Sequence, residues 1–221
     1  MQTRIGVVHP AIRRRRIART QVVIDTSPSL GLFNKVIIST VDGFVIPCSP
    51  DMFSLYGIKN IGTRLKAWKT DFDMIYRLIG DPKRAKFPKN FVQFLGYVIY
   101  NARKRSDVGN KFKIPMAHYN YAQKIPTTIK EYISDELRNN LNEQLLKSPI
   151  GGNCIIHSHN TVPNFAQKYK HPIWELPDLE EIDESDSASI TMNKNKDYYP
   201  TKENYRKFAK ALIVRLNRLG D

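Results

Sequence analysis

The stretch "QVVIDTSPSLGLFN", residues 21–34, decides how the rest of the chain is interpreted. Three apolar, β-branched residues lead into Asp25, which is followed by a threonine and a Ser-Pro turn. A continuous apolar run of this kind is typical of a parallel strand that is buried on both faces. An aspartate at the end of such a strand is well placed to offer a carboxylate to a magnesium ion. The stretch therefore predicts an α/β fold with Asp25 at the carboxyl end of a strand.

Strands and helices alternate along the chain. Besides residues 22–24, apolar runs predict strands at residues 43–47, 91–101 and 154–156. Periodic apolar residues, with a capping box at Thr128 and Glu131, predict helices at residues 29–40, 51–79, 128–145, 163–170 and 201–219. This alternation predicts a three-layer α/β sandwich around a mostly parallel sheet. Ligands bind at the carboxyl ends of such strands, where the pattern places Asp25, Pro47 and Asn101.

Two segments differ from this pattern. Residues 1–20 carry the run Arg13–Arg16 and no sustained period, which predicts a disordered basic leader before a domain spanning residues 21–221. A basic arm on nucleic acid and a leader with no structural role are both open interpretations. Residues 175–186, "ELPDLEEIDESD", contain seven acids and no base, and predict a solvated acidic loop over residues 175–199.

The composition indicates a folded, strongly basic protein. Hydrophobic residues make up 41% of the 221 residues, which is enough for a core, and the formal net charge is +14. No apolar run has bilayer or signal-peptide length, so a cytoplasmic protein is expected. The charge favours a polyanionic partner, with nucleic acid first and an anionic membrane second; a basic protein without such a partner is the plain alternative.

The residues 22–61, "VVIDTSPSLGLFNKVIISTVDGFVIPCSPDMFSLYGIKNI", closely resemble the central part of ParA/MinD-type partition ATPases, which are deviant P-loop proteins. Their pattern is an apolar strand, Asp-Thr-x-Pro, a helix, a strand ending in Ile-Pro and a Ser-Leu-x-Gly helix start. The resemblance continues in "FLGYVIYN", residues 94–101, and "HNTVPNFAQKYKHPIWEL", residues 159–176. It covers roughly residues 21–176.

The defining element of that family is missing. The family binds phosphates with a Gly-rich loop that carries lysine, whereas this chain contains no Gly-Lys dipeptide. The nearest imitation, Gly57-x-x-x-x-Gly62-Thr63-Arg64, lacks the lysine and falls inside a predicted helix. We therefore expect a P-loop NTPase-like fold that is truncated on its N-terminal side, with an exposed sheet edge at residues 22–24.

The resemblance implies a nucleotide site built from four residues. Asp25 corresponds to the aspartate that orders magnesium through water, Asn101 to the asparagine near the base, and Pro163 and Asn164 to the loop that flanks the base. ATP and magnesium are the implied cofactors, although tight binding is not expected of a chain without the phosphate loop. The residues also permit simpler roles: Asp25 as a helix cap, Asn101 as a strand-end turn residue and Pro163 as the first residue of a helix.

The last predicted helix is amphipathic. Its basic face carries Arg206, Lys207, Lys210 and Arg218, which we predict to contact DNA phosphates. A helix that docks on the sheet with a solvated basic side is the alternative, and a MinD-like membrane contact is weaker because the core needs the apolar face.

A metal site at Cys154, His157 and His159 has suitable ligand types but lacks a fourth ligand.

The sequence thus predicts an incomplete ParA-like plasmid or chromosome partition protein whose ancestral chemistry is an ATP-dependent DNA-binding switch. By resemblance, its partners are non-specific DNA, a ParB-like adaptor and either a second copy or a complementing N-terminal half, at the nucleoid in the cytoplasm. A non-catalytic module that binds DNA or a partner is one alternative. A fragment of a MinD-like membrane-associated ATPase is the other.

Overall fold

The computed structural model describes residues 5–10, 21–26, 31–105, 107–152, 156–157, 162–191 and 198–220. Its strands are β1 (Ile5–Pro10), β2 (Gln21–Thr26), β3 (Gly43–Cys48), β4 (Gln93–Ala102) and β5 (Ile156–His157). Its α-helices are α1 (Leu32–Thr40), α2 (Met52–Leu78), α3 (Asp81–Arg84), α4 (Met116–Tyr132), α5 (Asp135–Arg138), α6 (Glu143–Lys147), α7 (Val162–Tyr169), α8 (Glu184–Thr191) and α9 (Tyr199–Asn217). Two 3-10 helices span Ile173–Asp178 and Arg218–Gly220.

The five strands form one mostly parallel sheet in the order β2-β1-β3-β4-β5. The pairs β3–β4 and β4–β5 are parallel, whereas β1 is antiparallel to both of its neighbours, β2 and β3. β2, β3, β4 and β5 therefore all run in one direction, and β1 alone runs against them. The fold is α/β, as the sequence predicts.

The position of β1 corrects two predictions. Residues 5–10 lie within the predicted disordered leader, yet they form a strand; the rest of that leader, including Arg13–Arg16, lies outside the described residues. β2 is the edge strand, as expected for residues 22–24, but its predicted burial on both faces is wrong, because Val22 is 43% and Val23 68% exposed. The reason is that β1 lies between β2 and β3, so β2 has a neighbour on one side only.

Helices pack on both faces of the sheet. Alternate residues of β3 and β4, such as Phe44 and Ile46, face the main core, which is completed by α1, α2 and α4. The intervening residues Val45, Leu95 and Val98 face the other way and pack against Leu216 of α9. This alternation follows from the two-residue period of a strand, and it places α9 on the face opposite to α2 and α4.

The helix predicted at residues 128–145 is wrong. Thr128 and Glu131 do not start a helix, because both lie inside α4, which begins at Met116 and ends at Tyr132. The apolar residues that suggested one helix do face the core, with Leu145 only partly buried, but they are divided between α4, the short helices α5 and α6, and the turns between them: Ile129, Ile133, Leu137, Leu141 and Leu145.

The predicted acidic loop contains regular structure. The 3-10 helix Ile173–Asp178 and α8 fall within residues 173–191, and with α7 they enclose a separate apolar cluster around Leu176, Ile190 and Tyr198. Two of its acids bind a base: Lys168 pairs with Asp183 and, at 2.6 Å, with Asp186. The hydrogen bond from Lys168 holds the pKa of the Asp186 carboxyl below its usual range. The acids therefore help to attach α8 to α7.

Candidate functional site

Asp25 lies on the edge strand near its carboxyl end. Its side chain is exposed, and its backbone is level with Gly6 of β1, which is in turn level with Val45 of β3. Asp25 therefore lies on the outermost strand of the sheet, level with the position two residues before Pro47 in β3. Its exposed carboxylate could bind a metal ion through water, but its position alone does not identify a further ligand.

Asn101 has a conformation that accounts for its residue type. It lies one residue before the end of β4, with a φ of 56° and an exposed side chain. Its neighbours Tyr100 and Ala102 pair with Ile156 and His157 of β5, and the register shifts between them. Asparagine tolerates this left-handed conformation better than most residues do. The predicted alternative, a turn residue at the strand end, therefore explains Asn101 without a ligand.

The sheet does not bring Asp25 and Asn101 together. Asp25 is level with Val45, which pairs with Gly96, so Asn101 lies five residues further along β4. At about 3.3 Å per residue and about 4.8 Å per strand, with three strand spacings between them, the two backbones are about 20 Å apart. A single nucleotide site that uses both residues would have to span that distance.

Pro163 and Asn164 lie in the first turn of α7, and both are exposed. Pro163 is the second residue of the helix, a position where its missing N–H costs nothing. α7 begins five residues after β5, which pairs beside Asn101 in β4. The intervening residues 158–161 lie outside the described part of the chain.

The glycines that imitate a phosphate loop serve helix packing instead. Gly57 and Gly62 are both within α2, as the sequence predicts. A Cβ atom on Gly62 would lie 2.3 Å from the carbonyl oxygen of Tyr132, at the end of α4. Gly62 is therefore required because α2 and α4 approach closely there, and its backbone is not available to bind phosphate.

The start of α2 is already capped by the chain itself. Asp51 precedes the helix and accepts a hydrogen bond from the backbone N–H of Ser54 at 2.9 Å.

Cys48, at the end of β3, is fully buried, and burial raises the pKa of its thiol. It is therefore an inert core residue and does not act as a nucleophile.

The basic face of α9 is exposed as predicted. Arg206, Lys207, Lys210 and Arg218 are all solvent-accessible, and Arg206 has an ion pair with Glu203 at 3.5 Å. The apolar side of the helix packs on the sheet through Phe208, Leu212, Leu216 and Leu219. The helix is thus docked, and its apolar face is used in the core.

The sequence interpretation missed Arg215, which is only 2% exposed. Its guanidinium donates hydrogen bonds to the carbonyl oxygens of Leu95 (2.7 Å), Leu145 (3.0 Å) and Ser148 (3.2 Å). Burial lowers its pKa to about 10, so it remains charged at neutral pH. A signal was available, because Arg215 follows Phe208 by seven residues and Leu212 by three, and so belongs to the apolar side of the helix.

No cluster of three or more metal-ligating side chains occurs among the described residues. Cys154 and His159 of the C-x-x-H-x-H motif, for which the sequence favours ordinary loop histidines over a metal site, lie outside them, and of His157 only the backbone is described. Within the same described ranges, no helix is long and apolar enough to span a membrane.

Comparison with known proteins gives one match. A family described as "AAA domain" matches residues 18–75, less than half of the chain, over β2, α1, β3 and most of α2. This is a P-loop ATPase-like domain of the type found in ParA/MinD-type proteins. No curated protein and no solved structure matches the chain.

Proposed function

We propose that this chain is a ParA-like partition protein that binds DNA without sequence preference and does not hydrolyse ATP by itself. The AAA-domain match over residues 18–75 supports the ancestry, and the net charge of +14 supports a polyanionic partner. ATP and magnesium are the cofactors of the ancestral activity. A ParB-like adaptor, a second copy or a complementing N-terminal half remain proposed partners.

The direction of β1 is the observation that supports the proposal that the chain does not hydrolyse ATP. A phosphate-binding loop follows the carboxyl end of a strand and leads into a helix at that edge. β1 lies next to Asp25, but it runs antiparallel, so its own carboxyl end, Pro10, pairs with Gln21 at the opposite edge. The strand beside the ancestral magnesium ligand therefore has the wrong direction to deliver such a loop.

We expect the purified chain to show no magnesium-dependent ATP hydrolysis above background. The chain has no Gly-Lys dipeptide, and the strand beside Asp25 points away from the site. The measurement is phosphate release with the wild type beside Asp25→Asn, and the two should be indistinguishable. Turnover by the wild type that disappears in Asp25→Asn would refute this part of the proposal.

We expect the basic face of α9 to contribute to DNA binding. Replacing Arg206, Lys207 and Lys210 by Glu should weaken binding to all sequences alike and reduce the salt slope by roughly one unit per lost phosphate contact. The three side chains are exposed, so the fold should survive. Fluorescence anisotropy of a labelled duplex across a salt series gives both quantities. An unchanged affinity and slope would remove α9 from the interface.

A second candidate is a non-catalytic module that competes with a full-length ParA relative for DNA or for a partner. The same direction of β1 favours it. Adding the chain to a complete partition ATPase would separate the two: a competitor lowers the occupancy of the ATPase on DNA, whereas a partner that completes the interface does not. The membrane-associated alternative has less support, because the apolar residues of α9 pack against the sheet.

A further inference from the structure

The loop between β4 and α4 carries a second concentration of basic residues. Residues 103–114, called the basic loop below, contain five basic residues and one acid. The acid, Asp107, forms an ion pair with Arg105. Within the described part of the chain no ion pair is recorded for the other four bases, all of them exposed: Arg103, Lys104, Lys111 and Lys113.

Backbone and side-chain hydrogen bonds hold this loop in shape. The N–H of Arg105 donates to the carbonyl oxygen of Lys113 at 2.8 Å, which brings the two basic ends of the loop together. The Asn110 side chain accepts hydrogen bonds from the N–H groups of Phe112 (3.2 Å) and Ile114 (3.3 Å), and donates to the carbonyl oxygen of Ile114 at 2.6 Å. On either side of Ser106, which lies outside the described residues, these hydrogen bonds therefore hold the backbone that carries Arg105, Lys111 and Lys113.

The basic loop and α9 are attached to opposite faces of the sheet. Phe112 and Ile114, which are 5% and 0% exposed, anchor the loop in the main core with Phe44 and Ile46. α9 packs on the other face. The loop follows the carboxyl end of β4 and is anchored on one face of the sheet, whereas α9 is anchored on the other, so we expect the two basic surfaces to hold separate duplexes.

We propose that the basic loop is a second nucleic-acid-binding surface, and that one chain holds two DNA segments at once, one on the loop and one on α9. This inference rests on the proposed DNA binding. Its physical basis is charge complementarity, because unpaired Lys and Arg side chains on an ordered loop attract phosphates and release counterions from the duplex. The consequence is bridging of DNA without self-association of the protein.

The test compares six forms of the protein, each checked by circular dichroism for an intact fold. They are the wild type, a loop variant (R103E/K104E/K113E), the α9 variant (R206E/K207E/K210E), the combination of both, a charge-matched control (K66E/K86E/K89E), and Asn110→Ala. The control residues are exposed and lie on α2 and near α3. Anisotropy with a labelled duplex reports binding, and capture of a second labelled duplex on beads that carry the first reports bridging.

The wild type and the control are expected to bridge. The loop variant and the α9 variant should each still bind one duplex, with affinity lowered roughly tenfold at low salt, and neither should capture the second duplex. The combination should bind neither. Asn110→Ala, which keeps all charges but removes the side-chain bonds that order the loop, should bridge less well than the wild type.

Three results would overturn the inference. They are bridging by the loop variant at the level of the wild type, an unchanged affinity and salt slope in that variant, and DNA binding by the wild type without bridging. Bridging by either single-surface variant would point to self-association of the protein instead. If the wild type binds no duplex at low salt, the proposed DNA-binding function itself fails. This result differs from failure of the two-surface inference, in which the wild type still binds DNA.

Discussion

Replacing Arg215 by alanine is expected to lower the free energy of unfolding by about 3 kcal/mol. The guanidinium is buried and supplies hydrogen bonds to three backbone carbonyl oxygens, of Leu95 in β4, Leu145 in α6 and Ser148 beyond it. The substitution leaves those acceptors without a charged donor and opens a cavity beneath α9. The loss is limited because burial of the charge is itself unfavourable, as the lowered pKa shows.

Urea denaturation of the wild type beside Arg215→Ala measures this loss. Arg218→Ala is the matched control, because Arg218 is exposed at the end of the same helix and should change stability by less than about 0.5 kcal/mol. Arg215→Lys keeps the charge but cannot reproduce the planar fork that reaches three carbonyls, so it should recover less than half of the loss. Equal stability of Arg215→Ala and the wild type would show that these contacts contribute nothing.

The same residue connects stability with the proposed DNA contact. Arg215 joins α9 to β4 and to the end of α6, whereas Arg206, Lys207 and Lys210 lie on the opposite side of α9. A variant that loosens α9 should therefore weaken DNA binding even though no phosphate contact is removed. Binding that falls with the stability of Arg215 variants would identify α9 as a rigid platform for the basic face.

Periodic apolar residues allowed the long helices to be predicted. Ile58, Ile61, Leu65, Trp68 and Phe72 repeat every three or four residues, and all five are buried on one side of α2. The prediction of 51–79 matches Met52–Leu78 within a residue at each end. The helix predicted at 201–219 corresponds to α9 and the short 3-10 helix after it. In such segments the helix repeat alone determines which side faces the core.

Non-local contacts were beyond the reach of the sequence pattern. The run Val22–Ile24 has the composition of a central strand, and nothing in it shows that residues 5–10 will pair beside it in the opposite direction. α4 was missed because Pro126 lies inside it, and proline normally argues against a helix interior. The tertiary contact of α4 with α2 overrides this local preference.

The sequence pattern placed the predicted site residues at strand ends, but it could not give the distances between them. Strands of unequal length and offset do not end at the same level, and β4 extends beyond β3 because Cys48 pairs with Ile99, three residues before Ala102. Asp25 and Asn101 are consequently far apart. Arg215 was missed because neither face of the predicted amphipathic helix was assigned to it, although its position lies on the apolar side.

The second large effect is expected at Gly96. Gly96 has a φ of +124°, a conformation that residues with a Cβ atom rarely adopt, and a Cβ atom there would lie 2.2 Å from Nη1 of Arg215. Gly96→Ala should therefore lower the free energy of unfolding by about 3 kcal/mol, from backbone strain and from displacement of the guanidinium. Gly109→Ala is the control, because no heavy atom lies within 4 Å of its Cβ position.

A double-mutant cycle separates the two causes of the Gly96 effect. In the Arg215→Ala background the guanidinium is absent, so Gly96→Ala should cost only the backbone strain, about 1–3 kcal/mol, and the close contact of its Cβ atom with Cγ1 of Ile150 at 3.2 Å. The two substitutions should therefore be less destabilising together than the sum of their separate effects, with a coupling of about 1–2 kcal/mol in urea denaturation. Strict additivity would contradict the close approach of Arg215 to the Gly96 backbone. A large coupling would show that this glycine is required because the arginine that fixes α9 needs the space above β4.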